Sequence, residues 1–387
     1  MRDFARPFMF IGVASVALAF NPWPALAQEV PEQAAAGTVN ALELPATVPG
    51  DDTKPKPPKP DILFAPVPFS SPATGTGLAG GVIAFYNPNN SPQQWISGGG
   101  VVWTNRGTKG IVAFHSMALQ DDRIRIQGKV SYMNEVTKFY GVGQDDGDRG
   151  EVLELRTKAP MVQVTGQLRV FPNAYAGLRI RVMGNDAHPK SESATAPPPP
   201  DQMDSTMSMF GPGFAYDTRD SSTQPHSGVN FNAFWLFGRP GWGDTFKHDK
   251  FTAAGSYYIP VSKETVFAVN GTLCGAGGDV PYYDLCLFGS NSALRGYPSG
   301  RYRDRASWSA QAEVRHQFAR RWGGVAFFGL GGIATSLGDI PSDSNVLPAG
   351  GVGVRYRPFK DNDVNLRVDV AFGKNDNGLY LSVGEAF

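Results

Sequence analysis

The side chains that could do chemistry in this sequence are few, and two of them are cysteines. Cys274 and Cys286 lie twelve positions apart and are the two cysteines of the chain. In an exported protein such a pair usually forms a disulfide, whereas a zinc site would need a second cysteine or histidine pair nearby. We therefore predict a structural disulfide between Cys274 and Cys286, and no metal.

Motifs for enzyme catalysis are absent. The sequence contains no Gly-x-Ser-x-Gly, no phosphate-binding Gly-x-x-x-x-Gly-Lys and no His-Glu-x-x-His. Tandem carboxylates at Asp121-Asp122 and Asp145-Asp146 are typical of solvated turns. We expect neither an enzyme nor a cofactor, although a hydrolase with dispersed catalytic groups stays an alternative. The five histidines are scattered, at His115, His188, His226, His248 and His316.

Arg295 is the third candidate, in a Leu-Arg-Gly-Tyr motif at 294–297 inside a long loop from about 279 to 305. A guanidinium can hold such a loop by bidentate, charge-assisted hydrogen bonds to a carboxylate. Gly296 would allow a tight backbone, and Tyr297 would add contact area and a hydroxyl. The alternative is that Arg295 is a solvated loop residue.

The elements that would position this loop alternate polar and apolar residues. At 123–132, 162–170, 178–182 and 364–372 one face is polar and the other apolar, as in β-strands. A soluble β-sandwich also alternates, but arginine and lysine dominate the polar face here. This favours an all-β chain, a transmembrane antiparallel β-barrel with a basic lumen. The predicted lumen residues are Arg123, Arg125, Lys129, Arg169, Arg179, Arg181, Arg315, Arg355, Arg357 and Arg367.

Counting these segments gives about sixteen strands, an even number as single-chain barrels require. The first predicted strand is 74–86 and the last 378–387, with 123–135 and 136–144 as separate strands. The Pro-rich insert 188–204 would be an external loop.

The N-terminus predicts export. Arg2 and Arg6 precede an apolar run at 8–20 and a small-x-small cleavage site, so 1–27 is predicted to be a signal peptide. Residues 28–61, rich in Ala, Pro and Lys, would form a disordered periplasmic leader, and 62–387 the outer-membrane barrel. The 35 basic and 35 acidic residues balance, so no net field indicates nucleic acid as a partner.

The motif Leu294, Arg295, Gly296 and Tyr297 resembles the lumen-loop signature of the BamA/TamA outer-membrane assembly superfamily (bacterial surface antigen barrel domain). The segment 211–220 is similar to a strand-and-turn motif of the same barrels. The resemblance implies that Glu313 is the partner of the loop arginine. It also places Gly329 where the family carries an aspartate, so we expect Glu313 to be the main anchor. Restoring the family residue by Gly329→Asp should tighten the loop further if the site has room.

The C-terminal strand carries a further resemblance. Phe387 follows apolar residues of the same parity and resembles the assembly signal of outer-membrane barrels. Glu385 would interrupt that outward apolar face near the membrane interface. The glycine-rich first strand, 74–81, would form a poor edge at a seam between the first and last strands.

The resemblance covers the barrel and not the periplasmic POTRA domains of the family, so we expect a POTRA-less member in the outer membrane of a Gram-negative bacterium. It implies a role in inserting or translocating proteins, or lipids, at that membrane. The expected partners are outer-membrane lipid, the barrel-assembly machinery for its own insertion, and unfolded outer-membrane or secreted proteins. An anion channel through the basic lumen and an outer-membrane hydrolase are the alternatives.

Overall fold

A computed structural model describes residues 61–71, 75–89, 95–190, 192–221, 224–289, 293–357 and 365–387. The predicted signal peptide and the predicted leader, except Asp61, lie outside these residues. Eighteen β-strands run through the described part of the chain. They are β1 Asp61–Ser71, β2 Gly75–Tyr86, β3 Trp95–Thr104, β4 Lys109–Leu119, β5 Ile124–Phe139, β6 Leu153–Phe171, β7 Ala174–Pro189, β8 Asp204–Asp217, β9 Gly228–Gly238, β10 His248–Pro260, β11 Thr265–Gly278, β12 Cys286–Phe288, β13 Tyr302–Asp304, β14 Ala306–Ala319, β15 Trp322–Ala334, β16 Leu347–Tyr356, β17 Leu366–Gly373 and β18 Asp376–Val383.

Sixteen of these strands form one closed antiparallel barrel, and β12 and β13 form a separate two-stranded sheet. The predicted all-β barrel of about sixteen strands is therefore confirmed. The predicted number of strands is right because two errors in it cancel. β1 was missed because its Pro66 and Pro68 disfavour a strand assignment, and β5 is one strand where two were predicted. Glu135 and Val136 in β5 are both buried, which interrupts the alternation there.

The alternation of side chains follows the barrel wall. On β6, Gln163, Thr165 and Gln167 are buried inside, while Val162 and Val164 are exposed outside. A closed barrel with an apolar outer surface can satisfy its backbone within lipid. The outer surface is therefore a lipid-facing wall.

Three short α-helices lie in the connections: α1 Gln144–Arg149, α2 Pro200–Met203 and α3 Ile340–Asp343. None of the helices in the described ranges is long and apolar enough to cross a membrane. All three lie at one end of the barrel, which we call the loop end. The opposite end, where β1 begins and β18 ends, we call the termini end; its turns include two-residue ones at 172–173 and 320–321. Since outer-membrane barrels have short periplasmic turns, the termini end faces the periplasm.

The barrel closes where β1 meets β18. In the described residues this pairing is recorded at Ser70 and Leu381, whereas β1 and β2 pair continuously from Asp61 to Ser71. The glycine-rich segment predicted as the seam strand lies in β2, between β1 and β3. That prediction is therefore wrong, because the first strand begins earlier in the chain.

Candidate functional site: the lumen loop

The candidate site is the connection between β11 and β14, residues 279–305, which we call the lumen loop. It contains β12 and β13, and its Leu294, Arg295 and Tyr297 are almost completely buried. Phe288, Leu294, Tyr297 and Tyr302 pack against residues of β15 and β16. The alternative of a solvated Arg295 is thus wrong.

A disulfide ties the base of this loop to the wall. Cys274, in β11, is bonded to Cys286, the first residue of β12, with their Cα atoms 5.7 Å apart. The bond closes a short segment that includes the first part of the loop. In the unfolded chain such a link reduces conformational freedom and so favours the docked loop.

Arg295 binds two carboxylates on two different strands. Its Nη2 donates to Glu313 of β14, and its Nη1 lies 2.5 Å from Oδ2 of Asp369 in β17. The guanidinium also stacks over the Phe327 ring, with its carbon 3.5 Å from the ring centroid. Glu313 is therefore where the resemblance placed it, but it is not the main anchor, because Asp369 shares the arginine equally.

The pair belongs to a closed ring of six alternating charges, which we call the ion-pair ring. Arg315 Nε lies 2.5 Å from Glu313 and 3.8 Å from Glu385, while Arg355 lies 2.7 Å from Glu385 and 2.5 Å from Asp369. All six side chains are buried. In order, the ring runs through Arg295, Glu313, Arg315, Glu385, Arg355, Asp369 and back to Arg295.

Breaking the ion pairs of the ring is costly. Ion pairs inside a low-dielectric lumen interact strongly, but each charge has lost its water. Removing one member leaves each of its two neighbours with a single partner, whereas removing both partners of one charge leaves that charge uncompensated, which costs about 3–5 kcal/mol. The ring therefore joins the lumen loop, β14, β16, β17 and the segment after β18 into one unit.

Gly329 explains why the second carboxylate comes from β17. It lies in β15, and a Cβ there would meet Leu294 Cδ1 at 2.5 Å and the Ala310 carbonyl oxygen at 2.6 Å. An aspartate cannot fit without displacing the motif itself. Tightening of the loop by Gly329→Asp depends on room that this site lacks, and Asp369 supplies the second carboxylate to Arg295 instead.

Gly296 and Tyr297 fix the tip of the motif. Gly296 has φ 119°, a conformation that only glycine adopts easily, and its N–H donates to the Tyr380 hydroxyl at 2.9 Å. The Tyr297 hydroxyl donates to the Pro348 carbonyl at 2.7 Å and accepts from the Lys374 N–H at 2.8 Å. The motif is therefore bonded to the last strands of the barrel as well as to β14.

A second anchor lies on the opposite wall, at Asp284. Its carboxylate accepts hydrogen bonds from Arg181 of β7 and Lys250 of β10, both at 2.9 Å, and lies 3.1 Å from His248 Nε2. Burial alone would raise the pKa of Asp284, but the charges of Arg181 and Lys250 hold it well below its usual range. No motif in the sequence indicated Asp284, because a single aspartate in a long loop has no distinctive spacing.

At the loop end, α1 contacts the last part of the lumen loop, at and beside β13. Arg301 donates to the Gly147 carbonyl at 2.9 Å and to Asp376 of β18 at 2.7 Å. The Tyr302 hydroxyl donates to Asp148 of α1 at 3.0 Å. The loop is therefore held at three levels: to the β7–β10 wall, to the ion-pair ring, and to α1 with the β17–β18 hairpin.

Comparison with known proteins agrees with this geometry. The family model of the Omp85 superfamily domain matches residues 109–387. The chain belongs to the Omp85 superfamily. This confirms the resemblance drawn from the motifs, and with it an outer-membrane location in a Gram-negative bacterium. A comparison with curated proteins gave no match.

Solved structures of Omp85-like barrels share the fold. BamA from Haemophilus ducreyi lacking POTRA domains 1–3 matches with a TM-score of 0.57 and 13% identity, over 87% of this chain and 74% of that one. CdiB from Escherichia coli matches with a TM-score of 0.56 and 11% identity, over 87% of this chain and 66% of that one. CdiB from Acinetobacter baumannii matches with a TM-score of 0.55 and 10% identity, over 83% of this chain and 59% of that one. At these identities the likeness concerns the fold.

The lumen of this Omp85 barrel is lined by both signs of charge. Arg125 pairs with Asp122, Arg181 with Asp284, and Arg179 donates to Thr165. Buried carboxylates thus accompany most of the arginines that line the lumen, and a net basic lumen stays a prediction. Of the ten predicted lumen residues, six are buried, Lys129 and Arg357 are half-buried, and Arg123 and Arg169 are exposed at turns of the termini end.

The segment after β18 also differs from expectation. Phe387 is buried, packs against Tyr258, Val266 and Ala268, and its backbone carbonyl accepts from Arg315 at 2.8 Å. Glu385 points to Arg355 inside the barrel and not to the lipid. The chain turns inward after Gly384, which has φ 84°, so strand parity does not continue to Phe387. A role of Phe387 as an assembly signal stays a prediction.

Proposed function

We propose that this Omp85 barrel assists the insertion or translocation of proteins at the outer membrane by opening the seam between β1 and β18. The observation that carries the proposal is the ion-pair ring. It connects the loop arginine to Asp369 in β17 and to Glu385 directly after β18, so the loop holds the seam side of the barrel. By the family resemblance, the clients are unfolded outer-membrane or secreted proteins.

The composition of β1 supports a weak seam. Pro66 and Pro68 have no backbone N–H, and being two positions apart they face the same neighbouring strand. Proline in a sheet is tolerated where its nitrogen faces away from a paired strand. Since β1 pairs along its whole length with β2, we infer that both prolines face β18. The seam would then lack two hydrogen-bond donors.

The ring makes seam opening and loop release interdependent. When β18 leaves β1, the segment that carries Glu385 moves with it and leaves Arg315 and Arg355 short of a carboxylate. The ring then favours redistribution of Glu313 and Asp369 toward those arginines and away from Arg295. In this mechanism the lumen loop acts as a brace, intact when the seam is closed and weakened when it opens.

The two alternative functions gain less support. An anion channel needs unpaired positive charge along an open path, whereas the lumen arginines are largely paired and the lumen loop occupies the interior. For a hydrolase, the buried His248 and its two nearby aspartates, Asp244 and Asp284, have no serine or cysteine hydrogen-bonded to the ring nitrogens in the described residues. We infer a non-enzymatic role.

A reversible seam lock tests the proposal. Ser70 and Leu381 are Cα partners across the seam, so cysteines at both positions can be joined by oxidation. The matched control joins Val368 and Leu381, partners within the β17–β18 hairpin. The readout is the rate at which the barrel, reconstituted in liposomes, promotes membrane insertion of an unfolded outer-membrane chain.

We expect the seam lock to abolish this acceleration, reductant to restore it, and the hairpin lock to leave it unchanged. Full activity of the oxidised seam lock would contradict the proposal. Anion conductance that persists with the seam locked, without any insertion activity, would favour the channel instead.

A further inference from the structure

Three cations lie close together at one part of the termini end. Arg320 and Arg321 form the turn between β14 and β15, and Lys263 lies in the neighbouring turn between β10 and β11. The two turns are joined by the Gln317 N–H, which donates to the Glu264 carbonyl at 2.8 Å. Lys263 and Arg320 are exposed and Arg321 is half-exposed. We call these three residues the cationic patch.

Outward-facing aromatic residues lie directly beside the patch. Phe318 and Trp322 flank the Arg320-Arg321 turn, with 62% and 47% of their surfaces exposed on the outer wall. Trp322 packs against Tyr356 of β16 with ring centroids 4.7 Å apart. Aromatic rings at this level of an outer-membrane barrel mark the boundary between acyl chains and headgroups. The cationic patch is therefore at the depth of lipid headgroups in the leaflet on the termini side.

The charges of the patch are not neutralised by the described protein. Within the described ranges no carboxylate pairs with Lys263, Arg320 or Arg321, and the nearby Glu264 side chain accepts from Ser262. Three exposed cations at the loop end, in contrast, do have carboxylate partners. Lys158, Lys190 and Lys374 lie 2.9, 3.0 and 3.2 Å from Asp186, Glu154 and Asp148, respectively.

We propose that the cationic patch binds the phosphate headgroup of anionic phospholipids in the periplasmic leaflet, while Phe318 and Trp322 contact the acyl chains. Guanidinium groups suit this ligand because their planar donors match phosphate oxygens bidentately. Juxtamembrane lysines and arginines each favour anionic lipid by about five-fold at moderate salt. This inference is independent of seam opening, since it concerns the β10–β11 and β14–β15 turns and not the β1 and β18 strands.

The test is native mass spectrometry of the full barrel released from detergent containing equal amounts of phosphatidylglycerol and phosphatidylethanolamine. We expect wild-type protein to retain phosphatidylglycerol preferentially, and Arg320→Ser/Arg321→Ser to reduce that preference by about 10–30-fold. The matched control, Lys158→Ser/Lys190→Ser, removes two paired cations at the loop end and should change nothing. Heat-modifiable migration on gels verifies that each variant forms a folded barrel.

A second measurement keeps the proposal testable if the turn variant does not fold. Binding of phosphatidylglycerol to wild-type protein should fall as salt rises from 50 to 500 mM, as expected for exposed charges. Glycerol phosphate, which has no acyl chains, should compete weakly because it cannot use the aromatic wall. Equal retention of both lipids by wild type, unchanged preference in the turn variant, or equal losses in the loop-end control would each overturn the proposal.

Discussion

Arg295 Nη1 lies 2.5 Å from Asp369 Oδ2, and this contact joins the lumen loop to a strand that begins more than sixty residues later in the chain. The same guanidinium holds Glu313 with its other terminal nitrogen. Two carboxylates around one buried arginine make the docking redundant, because either can compensate its charge alone. The structure therefore has two carboxylate partners for Arg295, where the sequence indicated one main partner.

We predict that Glu313→Gln and Asp369→Asn each loosen the loop modestly, whereas the double variant does so by more than the sum. Only the double variant leaves the Arg295 charge uncompensated, at a cost of about 3–5 kcal/mol. The measurement is hydrogen exchange of residues 293–298 in each variant. Arg295→Ala is the reference for a loop that has lost both ion pairs, while Arg315 and Arg355 still compensate the two carboxylates. Strict additivity of the two single changes would rule out the shared site.

A second prediction concerns Gly329, where any Cβ meets the motif. Gly329→Ala and Gly329→Asp should both increase loop exchange, because the clash with Leu294 and the Ala310 carbonyl is present already in alanine. Overpacking of this kind typically costs about 1–3 kcal/mol. The matched control is Gly128→Ala in β5, where the added Cβ has no atom within 4 Å. A tighter loop in Gly329→Asp would show that the site has room for the family residue after all.

The barrel was predictable from sequence because the pattern that identifies each strand lies in residues close together in the chain. The period-two alternation on β6 and β17 needs only neighbouring residues. Asp369 was visible as a polar residue on an alternating strand, but its contact with Arg295 depends on how sixteen strands close. β1 was missed for a local reason: Pro66 and Pro68 contradict the usual composition of a strand.

The third prediction is a coupling between Arg295 and Glu385, two side chains that share no direct ion pair. Both belong to the ion-pair ring, so removing Glu385 should draw Glu313 and Asp369 toward Arg315 and Arg355. A double-mutant cycle of Arg295→Ala and Glu385→Gln, measured by loop exchange, should give a coupling of about 0.5–2 kcal/mol. The same cycle with Asp122→Asn in place of Glu385→Gln is the control, because Asp122 pairs with Arg125 outside the ring. Equal couplings in both cycles would refute transmission through the ring.

The fourth prediction is the pH dependence of the Asp284 anchor. A carboxyl whose pKa is lower in the folded protein contributes stability that is complete above its unfolded value and lost as the pH falls below it. Because the pKa of Asp284 is depressed from an ordinary value of 3.8, its contribution should be full at neutral pH and decline only below about pH 4. Asp284→Asn should therefore speed hydrogen exchange of residues 284–288 at pH 7. The difference in exchange rate between the variant and wild type should become smaller below about pH 4.

The exposed Asp279, in the same loop, provides the control for this prediction. Asp279→Asn should match wild type at both pH values, since its side chain forms no ion pair with any described residue. If Asp284→Asn exchanged like wild type at neutral pH, the second anchor would not hold the loop.

The central claim, that the lumen loop braces a seam able to open, is tested most directly by spin labels at Ser70 and Leu381 in lipid vesicles. Their dipolar broadening reports whether β1 and β18 are adjacent, and labels at Val368 and Leu381 report the hairpin that should stay closed. We predict that Arg295→Ala reduces the broadening of the seam pair and leaves the hairpin pair unchanged. Identical broadening of the seam pair with and without Arg295 would contradict the account.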